Sequence, residues 1–210
     1  DRTSINLPAV QTDFMKALKA TGKPIVFVMM TGSALAIPWE QENIPAIVNA
    51  WYGGEAAGTG VADVLFGDYS PSGRLPVTFY KSDADLPSFD DYSLQNRTYR
   101  YFKGEALYPF GFGLSYTKFS YNNLKLSKKT INKNESVNAE VTVTNTGKIK
   151  GDEIVQLYLT HLENGVDVPL YSLKGFKRST LAPGSCEKVN FKITPDMMKL
   201  MDENGKSILN

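Results

Sequence analysis

The residues whose types could do chemistry are few, and the densest group of them is acidic. Four aspartates crowd one short stretch, at positions Asp83, Asp85, Asp90 and Asp91. Carboxylates this close together can bind a hard cation, but the loop of an EF-hand also needs a glycine and a terminal glutamate, which this stretch lacks. We therefore expect a solvated acidic loop and no metal site.

A histidine and a serine could act in hydrolysis, but neither is well placed for it. His161 is the single histidine, and no second His, Cys or carboxylate stands at metal-ligand spacing to it. Ser33 follows an apolar run, yet it lacks the Gly-x-Ser-x-Gly turn of a nucleophile, and His161 lies in the other half of the chain. The sequence therefore predicts no Ser-His-Asp site.

A glycine-rich stretch, GGEAAG at residues 53–58, could in principle hold a phosphate group. It lacks the G-x-G-x-x-G order of a dinucleotide site and the Lys-Ser/Thr ending of a P-loop. The small residues more simply allow the helix that follows to approach its neighbours closely. We expect no nucleotide and no other cofactor.

Composition and charge exclude several classes of protein. The chain has 210 residues, a formal net charge of +1 and 42% hydrophobic residues, so it can bury a core and carries no basic patch for a nucleic acid. Its longest apolar run, residues 24–30, is far shorter than the roughly 20 residues of a membrane span. The single cysteine, Cys186, excludes an internal disulfide. Because the chain opens with Asp1 and shows no signal peptide, we expect it to be part of a longer protein.

The first part of the chain has the pattern of an α/β layer, and we assign it residues 1–86. Apolar residues at helical spacing, Val10, Phe14 and Leu18, predict a helix. The run at residues 24–30 predicts a strand buried on both faces, residues 44–51 and 55–66 predict two helices, and residues 75–79 predict another strand. Alternation of helices and strands indicates a largely parallel sheet.

The second part has the alternating pattern of half-buried strands. Five strands are expected in an all-β sandwich over residues 119–210, near residues 120–126, 137–145, 153–160, 172–179 and 187–193. A sandwich of this type usually has about seven strands, so we expect at least one more beyond Asn210. Residues 87–118, between the two parts, are too rich in aromatics for a flexible linker and are predicted to form a packed connector.

Two long motifs carry a resemblance to a known family. The strings GDYSPSGRLPVTF at residues 67–79 and LYPFGFGLSY at residues 107–116 resemble the C-terminal region of family 3 glycoside hydrolases, the exo-acting β-glucosidases and β-xylosidases. NTG at residues 145–147, VQLY at 155–158 and LKGF at 173–176 are similar to the fibronectin type III-like domain of that family. The resemblance covers essentially the whole chain.

The resemblance implies a retaining hydrolase that removes terminal non-reducing β-linked sugars, with oligosaccharides or aryl and alkyl β-glycosides as substrates. Such chemistry needs two carboxyl groups about 5 Å apart. In the family, the nucleophilic aspartate lies on a preceding barrel and the acid/base glutamate lies shortly before the Asp-Arg pair that opens this chain. We therefore expect no catalytic residue in the chain itself. Analogy with the family also implies a periplasmic or secreted protein.

Residues 85–102 look more like the β-xylosidase branch of the family than the β-glucosidase branch. Within them, Tyr92 and Arg97 are candidate substrate-binding residues, because a tyrosine ring can stack on a sugar and a guanidinium can donate hydrogen bonds to hydroxyls. The aromatic density of the connector favours the alternative, that both residues only pack the connector.

A second function remains open: a carbohydrate- or partner-binding module, or a scaffold, without catalysis. Aromatic residues in the sandwich part occur mostly singly on strands, which favours a scaffold over a sugar-binding platform. We also expect self-association of the isolated chain, because an incomplete α/β layer leaves apolar surface and a strand edge uncovered.

Overall fold

The computed structural model describes residues 3–162, 168–202 and 204–209, and these form two compact units. We call the first the α/β unit; it contains Asp1–Asp68 and Leu75–Phe112. The second, the sandwich unit, contains Tyr69–Arg74 and Gly113–Asn210. The predicted fold class, an α/β part followed by an all-β sandwich, is confirmed. The boundaries after residues 86 and 118 stay predictions.

The α/β unit contains a two-stranded parallel sheet and short helices. Val26 pairs with Ala46 at the start of the sheet, and Met29 pairs with Asn49 at its end. Gly67 ends the third helix in the left-handed conformation, with φ of 87°, which a glycine adopts without strain. The elements in chain order are α1 (Ala9–Ala20), β1 (Val26–Met29), α2 (Pro38–Asn43), β2 (Ala46–Asn49), α3 (Ala57–Phe66), a 3-10 turn (Asp83–Asp85) and α4 (Thr98–Tyr101).

One element of this unit was predicted wrongly. Residues 44–51 are predicted as a helix but contain β2, whose Ile47 and Val48 lie in register with Phe27 and Val28 of β1. The apolar run is too short for its period to distinguish a helix from a strand, and β-branched side chains favour the strand. The predicted strand at residues 75–79 is reduced to a single bridge between Phe79 and Tyr108.

The core of the α/β unit is centred on Phe79. Its side chain is 1% exposed, and the rings of Trp51 and Tyr108 meet it edge-on at centroid distances of 6.3 and 6.1 Å. Its backbone N–H donates to Tyr108 O at 2.9 Å, and its carbonyl accepts from Leu107 N at 2.8 Å. The other buried members of this cluster are Met29, Leu35, Ile37 and Leu107.

Much apolar surface of this unit is exposed. The helix α1 is confirmed, but Val10 and Phe14 on its predicted apolar face are 74% and 62% exposed. The helix instead buries Met15, and its Thr12 hydroxyl donates to the buried Glu40 carboxylate at 2.7 Å. The prediction that β1 is buried on both faces is also wrong, because Val26 is 50% exposed. No helix among the described residues is long and apolar enough to cross a membrane.

The sandwich unit contains the five predicted strands in two antiparallel sheets. One sheet has the order β3-β4-β7 and the other pairs β5 with β6. Buried residues from both sheets meet in one cluster, Val143, Val155, Leu181 and Val189. The elements are β3 (Phe119–Leu126), β4 (Val137–Asn145), β5 (Gly151–Leu159), β6 (Ser172–Leu181), β7 (Cys186–Ile193), a helical turn α5 (Pro195–Met198), and the short hairpin β8 (Leu200–Met201) and β9 (Ser207–Ile208).

The segment Tyr69–Arg74, which we call the clasp segment, is bound to the sandwich unit by a buried ion pair. Arg74 Nη2 lies 2.7 Å from Glu153 Oε2, and the two side chains are only 13% and 10% exposed. The Tyr121 hydroxyl donates to the other carboxylate oxygen of Glu153 at 2.6 Å. Burial, followed by the Glu153 carboxylate, raises the pKa of Tyr121, so the phenol stays a hydrogen-bond donor.

A second set of polar contacts holds the same segment. Arg178 Nη1 donates to Ser72 Oγ at 2.8 Å and to Asp152 Oδ2 at 2.9 Å. The hydroxyl of Thr180 donates to Asp152 at 2.7 Å, and this bond, more than Arg178, lowers the pKa of that carboxyl. The backbone also approaches closely, because a Cβ added to Gly113 would lie 2.1 Å from Gly73 O. The clasp segment is therefore an integral part of the sandwich unit.

We expect Arg74→Met to lower the free energy of unfolding of the sandwich unit by about 3–5 kcal/mol, since the Glu153 carboxylate is left buried without a cation. Urea titration followed by hydrogen exchange of β5 and β6 measures this change. Lys128→Met is the matched control: its pair with Glu135 is exposed, 50% and 39%, so solvent screens it and its loss should change the free energy of unfolding little. Equal losses for Arg74→Met and Lys128→Met contradict the prediction, whereas recovery in Arg74→Met/Glu153→Gln supports it.

Candidate functional site

Arg97, one of the two candidate substrate-binding residues, closes a loop of the α/β unit. Its Nη2 donates to the backbone carbonyl of Ser88 at 2.6 Å, and its Nε donates to the carbonyl of Asp91 at 3.1 Å. A guanidinium is suited to this role because its donors diverge in a fixed plane. Arg97 therefore ties residues 88–91 to residue 97, and we call residues 88–98 the Arg97 loop.

Tyr92, the other candidate, lies on the surface of the loop that Arg97 closes. Its side chain is 82% exposed and that of Phe89 is 88% exposed, so the loop presents two aromatic rings to solvent. The carboxylate of Asp91 accepts the backbone N–H of Ser93 at 2.8 Å, and this bond lowers the pKa of Asp91. The sequence left two roles open for both candidates, sugar contact and the favoured alternative of packing the connector; in the structure, two donors of Arg97 bond to backbone carbonyls and hold the loop.

The end of the Arg97 loop has a strained backbone. Three of its non-glycine residues have positive φ: Leu94 at 64°, Asn96 at 53° and Thr98 at 55°. This conformation is unfavourable for a side chain, above all for a β-branched one, and persists only where other contacts hold it. Here the Tyr80 hydroxyl accepts the backbone N–H of Thr98 at 3.0 Å, and Asn96 Oδ1 accepts that of Lys103 at 3.1 Å.

A cavity of about 510 Å³ adjoins this strained turn within the α/β unit. One wall is formed by Pro76, Val77, Thr78 and Tyr80, and Phe79 of the same segment lies in the core. Thr78 is 6% exposed and its hydroxyl has no hydrogen-bond partner. The remaining lining residues come from the turn after β1 and from the connector: Gly32, Ser33, Ala34, Thr98, Tyr99, Arg100 and Phe110.

Ser33, which lacks the sequence context of a nucleophile, lines this cavity, and neither Thr78 nor Tyr80 was predicted as a site residue. The signal that could have found them is the local alternation at residues 78–80, where Phe79 packs into the core and Thr78 and Tyr80 on either side of it line the cavity.

Two of the four clustered aspartates, Asp83 and Asp85, act as hydrogen-bond acceptors within the α/β unit. Asp83 accepts the Ser4 hydroxyl at 2.6 Å and the Ile5 N–H at 2.8 Å, and Asp85 accepts the N–H groups of Lys81 and Ser82. Across the described ranges, no group of three or more His, Cys, Asp or Glu residues is arranged to hold a metal ion.

Two further residues considered in the sequence, Gly53 and His161, have surroundings that the structure defines. A Cβ added to Gly53 would lie 2.4 Å from the Cβ of Ala57, the first residue of α3, whereas Gly54 and Gly58 have nothing within 4 Å of an added Cβ. His161 has a pKa lowered by burial and, to a lesser extent, by Lys174.

Comparison with known proteins gives consistent matches along the chain. The profile of the glycosyl hydrolase family 3 C-terminal domain matches residues 1–116, and that of the fibronectin type III-like domain matches residues 153–209. A xylan 1,4-beta-xylosidase of Xylanibacter ruminicola is 50% identical over 96% of this chain and 23% of its own length. A periplasmic beta-glucosidase of Salmonella typhimurium is 41% identical over 98% of this chain and 28% of its own length.

Solved structures agree with these matches. A β-glucosidase from Erythrobacter marinus superposes with a TM-score of 0.88 and 34% identity, covering all of this chain and 28% of that one. A β-glucosidase from Listeria innocua in complex with glucose has a TM-score of 0.86 and 28% identity, covering 99% of this chain and 30% of that one. The chain thus spans about a quarter to a third of the length of the proteins it matches.

We expect Arg97→Ala to open the Arg97 loop without unfolding the α/β unit, because it removes the two bonds to the carbonyls of Ser88 and Asp91. Hydrogen exchange of the loop amides should become at least about tenfold faster, the effect of losing about 1.4 kcal/mol of local stability. Arg97→Lys should give an intermediate rate. The exposed Lys103 offers a control, since Lys103→Ala keeps its backbone bond to Asn96; equal exchange in both variants contradicts the assignment.

Proposed function

Because the chain belongs to the glycosyl hydrolase family 3 C-terminal domain family, we propose that it forms part of an exo-acting, retaining β-glycosidase. The proposed enzyme hydrolyses terminal non-reducing β-linked sugars. The observation that carries the proposal is the 50% identity, over 96% of this chain, to the β-xylosidase of Xylanibacter ruminicola. That match and the character of residues 85–102 favour β-xylosides over β-glucosides as substrates.

Within this enzyme, the proposed role of the chain is to support the site rather than to supply the reacting carboxyl groups. Retaining hydrolysis needs two carboxyl groups about 5–5.5 Å apart, one as nucleophile and one as acid/base. The buried carboxylates of the described residues each have a structural contact: Glu40 accepts the Thr12 hydroxyl, and Glu153 pairs with Arg74. Both contacts favour a structural role for these acids.

Of the two candidate substrate-binding residues, Tyr92 keeps a direct role in the proposal. Its 82% exposure on the Arg97 loop leaves a ring face that can stack on a sugar. Arg97 is proposed as a positioning residue, acting through the loop that carries Tyr92.

A periplasmic or secreted location is proposed for the whole protein. Support comes from the Salmonella typhimurium relative, which is named a periplasmic beta-glucosidase.

A chimera tests the proposed function. We expect the Xylanibacter ruminicola β-xylosidase to keep aryl β-xylosidase activity when its matched region is replaced by this chain, and to lose activity when that region is deleted. The purified 210-residue chain should hydrolyse neither aryl β-xylosides nor aryl β-glucosides. Turnover by the purified chain, or a folded but inactive chimera, would overturn the proposal.

Self-association of the isolated chain is the other expected behaviour. Exposed Val10 and Phe14 lie one turn apart on α1, and such a pair presents an apolar stripe that water disfavours. Sedimentation velocity should detect oligomers, and Val10→Lys/Phe14→Glu should reduce them. Phe89→Ser removes a ring elsewhere that is even more exposed, at 88%, and is the control. A monomer at high concentration contradicts this expectation.

A further inference from the structure

We propose that the cavity beside the Arg97 loop binds one neutral pyranose, with Thr78 and Tyr80 as its hydrogen-bonding residues. The choice of a sugar among hydroxylated ligands rests on the proposed function. The cavity itself, its unpartnered hydroxyl and its aromatic walls are features of the α/β unit that do not depend on that function.

The cavity has the size and lining of a small-molecule site. Its volume of about 510 Å³ lies within the range of about 300–1,000 Å³ typical of such sites, which combine apolar walls with a few placed polar groups. It adjoins the turn at residues 32–34, just after the carboxyl end of β1. Open parallel α/β sheets usually bind ligands at this edge.

The unpartnered hydroxyl of Thr78 is the main observation in favour of a ligand in this cavity. A hydroxyl that is buried without a partner is unfavourable, because it has lost its hydrogen bonds to water. Thr78 is a lining residue of the cavity, it is 6% exposed, and its hydroxyl is buried without a hydrogen-bond partner. A ligand hydroxyl in the cavity would restore both a donor and an acceptor to this group.

Tyr80 places a second hydroxyl on the same face of the chain, two residues further on. Its oxygen accepts the N–H of Thr98, so the phenolic hydrogen is left to donate to a ligand. Burial raises the pKa of Tyr80, which keeps that hydrogen in place. The strained φ of 55° at Thr98 belongs to the same contact and fixes this part of the wall.

The remaining lining favours a neutral ring with an apolar face. The rings of Tyr99 and Phe110 are stacked at a centroid distance of 4.0 Å, and both residues belong to the cavity lining. A pyranose has C–H groups that can pack on such rings and hydroxyls that can reach the wall of Thr78 and Tyr80. Among the described residues of the lining, Arg100 is the single charged one and none is a carboxylate that could bind a cationic ligand.

The experiment is titration of the 210-residue chain with methyl β-D-xyloside, followed by NMR chemical shifts and calorimetry. Saturable binding in the millimolar range is expected. Thr78→Val keeps the shape of the side chain but removes the hydroxyl, and should weaken binding about three- to tenfold, the effect of one hydrogen bond. Thr78→Ser, which keeps the hydroxyl, should bind like the parent chain.

The melting temperature of Thr78→Val distinguishes a ligand-binding hydroxyl from a merely structural one. Without sugar, Thr78→Val should melt at the same temperature as the parent chain or higher, because it removes an unpaired buried polar group. A lower melting temperature, equal affinity of the valine variant, absent xyloside binding, or equal binding of myo-inositol would each overturn the proposal. An active chimera without xyloside binding refutes this site alone, whereas xyloside binding with an inactive chimera refutes the proposed function alone.

Discussion

The buried ion pair between Arg74 and Glu153 is the interaction on which the organisation of the chain most depends. Removing two charges from water is costly, and the cost is offset here by a 2.7 Å contact and by the Tyr121 hydroxyl on the second carboxylate oxygen. Because Arg74 is separated from Glu153 by 79 residues, the pair draws an early segment of the chain into the sandwich unit. The fibronectin type III-like match begins at residue 153, yet the structural unit also needs Tyr69–Arg74.

The α/β unit depends in the same way on a segment that returns from later in the chain. A two-stranded sheet alone has little stability. Phe79 and Leu107 complete its core, and the backbone bonds between Phe79 and Tyr108 join the two later segments. The connector is therefore part of the unit up to Phe112, and the chain passes between the units after Asp68, Arg74 and Phe112.

Features that depend on local sequence patterns could be predicted from the sequence, whereas features that depend on contacts between distant residues could not. The five sandwich strands were predicted because side-chain alternation is a local signal, and α1 was predicted because its spacing is helical. The short apolar run containing β2 has no clear period, so its strand was missed. The exposed side of α1 was also missed, since burial depends on which neighbours cover a face and not on the pattern alone.

The same distinction between local patterns and specific contacts applies to the candidate site. Tyr92 and Arg97 were selected by residue type, but the acceptors of Arg97 are backbone carbonyls, which no sequence pattern reveals. The partner of Arg74 could not be predicted because it lies 79 residues further along the chain. Thr78 could not be predicted from a contact, because its hydroxyl has no hydrogen-bond partner.

Arg97 and Arg74 bind acceptors at different separations along the chain. Together their contacts favour a structural role for this chain in the proposed enzyme. Arg97 fixes a local loop with exposed aromatic rings, whereas Arg74 neutralises a buried carboxylate that would otherwise be a candidate for acid chemistry. Both oxygens of the Glu153 carboxylate are already occupied, one by the Arg74 guanidinium and the other by the Tyr121 hydroxyl. Because these contacts hold the clasp segment within the sandwich unit, we assign Glu153 to the architecture of the chain.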